Sequence, residues 1–203
     1  MLISIRIYPQ KATKLILDLD IKAKCIKNIN TTDFPTDYSI DSAYQTTFKA
    51  KKVAEDTVEF NYLDNEFLKK TFTCNHHYVN DTLIINGGFG PNYQMYGFIA
   101  KVFPNRKTLI KLRLYWPYPS YYNSLDGTYA KSEIVVETKR SKLILNKLPK
   151  NKSDRSHIYG YIEFLSNDYF IKMRDEKTKN PYKQKNNSEY KIYFDSRYLN
   201  DTK

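Results

Sequence analysis

The chain is poor in the residues that carry most recognisable chemistry. Its 203 residues include three histidines, two cysteines, three methionines and one tryptophan. Two cysteines cannot build a disulfide framework, and their spacing from the histidines is far from a zinc-finger or HExxH pattern. Glycine is scarce too, with six in all. The densest group, INGGFGPNY from Ile85 to Tyr93, matches neither GxxxxGK[ST] nor GxGxxG. The pattern predicts a turn at Asn86–Gly87 and a bend after it, not a phosphate cradle. No apolar run is long enough to cross a membrane as a helix. The opening MLISIRIYPQ is too short and too strictly alternating for a signal peptide. The sequence as it stands reads as cytoplasmic, and as secreted or periplasmic if a leader has been removed.

What the chain has instead is tyrosine, lysine and alternation. Tyrosine occurs 19 times and phenylalanine 11 times, and both favour strands. The formal charge is +11, and Lys139 to Lys191 holds 14 Lys and Arg against six Asp and Glu. Such charge is compatible with nucleic acid, acidic proteins or anionic membranes and does not choose among them.

The dominant period is two. Ile110, Leu112, Leu114 and Trp116 alternate with Lys111, Arg113 and Tyr115. Ile158, Gly160, Ile162 and Phe164 alternate with Tyr159, Tyr161 and Glu163. In TKLILDLDIKAKCIK, Leu15 to Cys25 also alternate, which predicts a strand. Further strands are expected over 71–79, 82–86, 95–103, 108–116, 132–138, 142–146, 157–165, 169–173 and 189–195. Ile3, Ile5 and Ile7 suggest an opening strand. Residues 53–63 read as a strand and DNEFLKK as a helical turn. The stretch 28–50 reads as an irregular insertion, a long loop or a short capped helix. MRDEKTKNPYKQKNNSEYK reads as a mobile polar hairpin loop. Long amphipathic helices are missing between the strands, so parallel βαβ units are not expected. The fold class is mostly β: an antiparallel β-sandwich with little helix, or a partly open β-barrel, in a single domain over residues 1–203.

Candidate chemistry centres on FTCNHHYV. Adjacent histidines on a strand point to opposite faces, so His76 and His77 do not converge on one metal. Cys74 and His76 share the apolar phase. With His157 and a carboxylate they would make a metal site, and Cys74 with His76 or His157 a nucleophile pair. Core packing is the simpler reading. Cys25 and Cys74 both occupy apolar phases and are expected as reduced, buried thiols, with one bridge as the alternative. Asp18 with Asp20, and Glu133 with Glu137, share strand faces but adjoin nothing that suggests a cleft. No catalytic residue, metal ligand or cofactor is therefore assigned.

A binding surface is the stronger candidate. Trp116, Tyr118, Tyr121, Tyr122 and Tyr129 lie in or beside the proline-punctuated stretch WPYPSYYNSLDG, with Lys111 and Arg113 adding charge nearby. Trp and Tyr anchor interfaces while staying partly exposed. A second face, Phe98, Lys101, Phe103, Lys111, Arg113 and Tyr115, would interleave bases and aromatics as single-strand binders do.

The order DTLIINGG, an alternating strand pair, DGTYA, IYGYIEFLSNDYF and EYKIYFDSRYL resembles small β-rich secreted or lipid-anchored bacterial proteins of uncharacterised type. The resemblance spans residues 70 to 199 and implies a self-contained sandwich. It brings no enzymatic residues with it, and the chain departs from it in showing no leader and no anchoring cysteine near its start. The expected function is noncatalytic recognition of a protein partner, in one form an inhibitor or immunity protein covering an acidic surface. Nucleic-acid binding is the alternative, and an unrecognised hydrolase a second.

Overall fold

The computed structural model describes residues 12–29, 46–50, 73–89, 95–175 and 177–199. The expected opening strand, the strand over 53–63 and the DNEFLKK turn lie outside them. The described residues form thirteen strands and one helix in two sheets. The mostly β, sandwich-type class holds.

The first half of the large sheet is an antiparallel meander. It contains β4 (Thr73–Val79), β5 (Thr82–Phe89), β6 (Met95–Val102) and β7 (Lys107–Tyr115). Asn80, at φ 54°, makes the two-residue turn into β5. The second half holds β10 (Ile158–Ser166) and β13 (Ser188–Tyr198), with β3 (Thr46–Ala50) on the outer side of β13. Inward residues of both halves meet in one core, where Phe98 and Phe194 bring their rings within 5.9 Å.

Two strands join the halves. β9 (Glu133–Leu145) pairs with β7 through Glu133–Glu137 and with β10 through 138–145. Its buried residues shift phase on the way: Ile134, Val136 and Thr138 are inside, then Leu143 and Leu145. A register shift opposite Leu165–Ser166 absorbs the extra residue, as a bulge does. The sequence had shown two strands here because the alternation breaks at this bulge. At the other corner β13 meets β4 in parallel through only two pairs, Arg197–Asn75 and Tyr198–His76. That seam is too short to make a barrel wall. Near the β7–β9 corner, β1 (Thr13–Lys14) adds to β7 and β2 (Ile16–Leu17) to β9, with Leu15 buried between them.

Three sequence expectations need correction. The alternation from Leu15 to Cys25 is not one strand, because residues Ile21–Ile29 form helix α1. Asp18 accepts the Asp20 amide at 2.9 Å on its side chain and the Ile21 amide at 3.2 Å on its carbonyl, which starts the turn. Ile21 and Cys25 are then one helical turn apart and both buried, so spacings of two and four fit the same residues. Asn86–Gly87 is not a turn. It lies inside β5, and Gly88 stands opposite Gly97. A Cβ on Gly97 would sit 2.3 Å from the Gly87 carbonyl oxygen, so the glycines serve close backbone approach. In the expected insertion at 28–50, residues 46–50 are a strand against β13.

The small sheet is the part that positions the candidate site. It contains β8 (Tyr121–Tyr122), β11 (Tyr169–Arg174) and β12 (Pro181–Asn186). The expected polar loop thus includes a strand, β12, which its pairing with β11 holds in place despite weak apolar content. β11 and β12 continue the β10–β13 ribbon beyond a bend at Asn167–Asp168 and Asn187. Polar bonds pin that bend. The Ser188 amide donates to Ser166 Oγ at 2.9 Å, and the Tyr169 and Ser188 hydroxyls lie 2.9 Å apart.

Candidate interaction surface

The Cys74–His76 group is sealed. Strand alternation puts both side chains in the core, with His77 on the opposite face. His76 Nδ1 lies 3.1 Å from Ser196 Oγ, and both residues are fully buried. Burial lowers the His76 pKa to about 4, so the ring is neutral near pH 7. Burial also pushes the Cys74 thiol far up, and the Cys25 thiol up to about 11, which removes the thiolate a nucleophile needs. Both thiols are free. His157 does not join this group. Its Nδ1 lies 2.9 Å from Asp195 on the outer side of the sheet. Among the described residues, no three His, Cys, Asp or Glu side chains are grouped to hold a metal ion. No helix among them is long and apolar enough to cross a membrane.

Bases occupy both carboxylates of the Glu133 and Glu137 pair. Glu137 takes Lys111 at 3.3 Å and Glu133 takes Arg113 at 2.7 Å, across the β7–β9 ladder. Lys111 and Arg113 therefore sit on the outer face of the main sheet, each neutralised by a neighbour. The alternative face over β6 and β7 loses Phe98, which alternation turns into the core while Lys101 stays outside.

The aromatic set divides. Tyr121 and Tyr122 form β8 and are buried, and Trp116 is half-buried against the core. Tyr118 and Tyr129 are 72% and 85% exposed. The connection they stand on is held against the small sheet. The Lys172 amide donates to the Ser120 carbonyl at 2.6 Å. Lys183 Nζ donates to the Leu125 and Gly127 carbonyls, each at 2.6 Å, and lies 4.5 Å from the Tyr122 ring centre. One lysine thus clips a loop from 56 or more residues away.

The small sheet adds basic residues, of which Arg174, Lys183 and Lys185 fall in the stretch expected as a polar loop and Lys172 in the strand expected over 169–173. Its inner face carries Tyr169, Ile171, Gln184 and Asn186, all wholly or partly buried. Its outer face carries Phe170, Lys172 and Arg174 from β11, with Pro181, Lys183 and Lys185 from β12. Lys172 stands directly opposite Lys183, an arrangement that repels unless the charges are relieved. Lys183 finds its relief in the two carbonyls and the Tyr122 ring. Lys172 and Arg174 are exposed. Asp168 serves both Lys185, at 2.8 Å, and Lys139, at 2.9 Å. Burial works to raise its pKa, and the two ammonium groups outweigh this and hold it below the usual carboxylate range. The signal for this face was present in FIKMR and YKQK, where the bases fall at alternate positions.

Comparison of the chain with protein-family models, with curated proteins and with solved structures returned no match.

Proposed function

We propose that this chain is a noncatalytic recognition protein that takes an acidic protein partner on the outer face of its small sheet. The observation that carries the reading is the excess of base there: Lys172, Arg174, Lys183 and Lys185 share one face, while Asp168 is divided between two lysines. Tyr118 and Tyr129, exposed on the connection held against the small sheet, supply rigid amphipathic contact area. Opposite charge on the partner would speed encounter and set orientation. An inhibitor or immunity protein that covers an acidic active-site rim is one specific form of this function, and the charge alone supports that form.

The test is capture from native extract by the whole chain, with and without nuclease, beside the Lys172→Glu/Arg174→Glu variant. Both residues are exposed, so the variant should fold normally. The expected result is an acidic protein retained after nuclease treatment and lost by the variant. Recovery that nuclease abolishes would replace the reading with nucleic-acid binding. Retention by the variant would remove this face from the function.

A further inference from the structure

β7 runs from the β6–β7 turn at one end to the connection with β8 at the other. The turn end collects base. Lys14 of β1 stands directly opposite Lys107 of β7. Three backbone bonds fix how closely. The Lys107 carbonyl accepts the Phe103 amide at 2.9 Å, and the Lys107 amide donates to Asn105 Oδ1 at 3.0 Å, so its polar backbone faces the turn and β6 rather than β1. The neighbouring Leu15 amide donates to the Arg106 carbonyl at 2.8 Å. Lys14–Lys107 is therefore a non-hydrogen-bonded pair, the kind that brings facing side chains nearest. Like charges in that position repel. Farther along β7, Glu137 neutralises Lys111 and Glu133 neutralises Arg113. Among the described residues no carboxylate pairs with Lys14 or Lys107, and both are exposed.

A second feature is independent of that pair. Arg106 is held at φ 60°, in the left-handed region that glycine and asparagine favour. The chain is fixed there from both sides. The Arg106 amide closes the turn onto the Phe103 carbonyl at 2.8 Å, and its carbonyl is the one that takes Leu15. A turn with one left-handed residue before the returning strand ordinarily carries glycine. Here it carries an exposed guanidinium, again with no carboxylate on it among the described residues. A strained backbone under a charged side chain is a mark of ligand sites. Alternation completes the surface. Val102 turns inward, so Lys101 and Phe103 stand on the outer face beside Lys107. Lys101 is exposed and Phe103 half-buried. Lys14, Lys107 and Lys101 thus make a row across three strands, about 10 Å long, with Phe103 within it.

We infer that this row is a binding site for single-stranded nucleic acid, with the three lysines and Arg106 on phosphates and Phe103 against a base. The surface is separate from the one proposed above, and the inference stands without it. A line of cations that lack carboxylates suits a linear polyanion, whose binding releases its counterions. A ring set among those cations suits a base, because stacking needs no particular sequence. An anionic membrane is the weaker match. Stable docking on a bilayer adds an apolar anchor to the basic patch, and the tip of this turn offers only Pro104, Asn105 and Arg106, with the ring set back in the row.

The experiment follows the fluorescence anisotropy of a labelled ten-nucleotide oligothymidylate with the whole chain, from low to physiological salt. The logarithm of the binding constant should fall against that of salt with a slope of about −2 to −3, as three or four phosphate contacts require. Lys14→Gln/Lys107→Gln should weaken binding about tenfold or more at low salt and make the slope shallower by about 1.4. Phe103→Leu should weaken it about tenfold and leave the slope unchanged. Arg106→Gly removes a charge and relieves the backbone, so it should bind more weakly while its urea midpoint rises. Damage to the fold cannot move those two readings in opposite directions. Lys172→Glu/Arg174→Glu should keep most of the binding, so the two surfaces fail independently. Absence of binding, or binding that the row variants leave unchanged, would overturn the site. Equal competition by polyglutamate of the same charge would overturn it in favour of an acidic protein. Retention on phosphatidylserine vesicles without binding to the oligonucleotide would overturn it in favour of a membrane.

Discussion

His76 Nδ1 lies 3.1 Å from Ser196 Oγ in a site with no exposed surface, while no atom of the described residues accepts or donates at His76 Nε2. The pair bridges β4 and β13 beside the two-pair parallel seam. Tyr198 adds an edge-on ring contact at 5.8 Å, and the Leu199 amide donates to the His76 carbonyl at 2.8 Å.

Acid should open this corner. The folded state lowers the His76 pKa from 6.5 to about 4, so folding favours the neutral ring. The stability this gives is complete above about pH 6.5 and is lost as pH falls to 4 and below. Linkage sets its ceiling at about 3 kcal/mol. Urea midpoints measured at pH 7.5, 5.5 and 4.5 should fall in that order. In His76→Gln the fall should be shallower, although the variant starts less stable. An unchanged pH slope would show that other groups govern the acid limb.

Neither thiol should react in the folded protein. Cys25 donates to the Gly160 carbonyl at 3.2 Å, and Cys74 is enclosed beside Ser196. An aromatic disulfide reagent at pH 8 should label no cysteine in buffer and two in denaturant. Labelling of one thiol at the rate of a free cysteine would contradict the burial.

Gly160 should not tolerate a methyl group. A Cβ there would lie 2.4 Å from Phe194 Cζ and 2.8 Å from the Ile144 carbonyl oxygen. Overpacking of this kind costs about 1–3 kcal/mol. Gly127→Ala is the milder comparison, since a Cβ there would meet the Ser124 carbonyl oxygen at 3.3 Å in a surface turn. Chemical denaturation should separate the two variants clearly, and equal midpoints would refute the tight approach.

Removal of the Lys183 ammonium should free the loop it clips. Lys183→Met keeps the stem over Tyr122 and loses both carbonyl bonds, at a cost of about 1 kcal/mol after allowance for solvent. Limited proteolysis should cut faster between residues 123 and 130, with the remainder of the digest unchanged. Unaltered cleavage there would mean that the loop holds its place without the clip.

Much of the sandwich was legible in the sequence because a half-buried strand writes its burial as period two. β7 and β10 alternate without a fault, and the structure buries the residues that alternation selects. Legibility failed where two geometries suit one pattern or where pairing does the work. Ile21 and Cys25 satisfy a strand and a helical turn alike, and only the Asp18 bonds decide between them. β12 has little apolar surface of its own and owes its form to β11. The exposed Tyr118 and Tyr129 were visible as candidates. The burial of Tyr121 and Tyr122 was not, since it depends on Phe170 and Ile171, almost fifty positions later. The neutralising of Lys111 and Arg113 likewise depends on which strand lies beside β7.

The parallel seam also sets an order of events. β4 through β7 can assemble from near neighbours as the chain is made, but His76 must wait 120 residues for Ser196. Until β13 arrives, β4 lacks a partner along that corner and the imidazole stays in water at its ordinary basicity. A nascent chain halted before residue 188 should therefore be open, sticky along β4 and dependent on chaperones. The same chain extended past Tyr198 can close in one step.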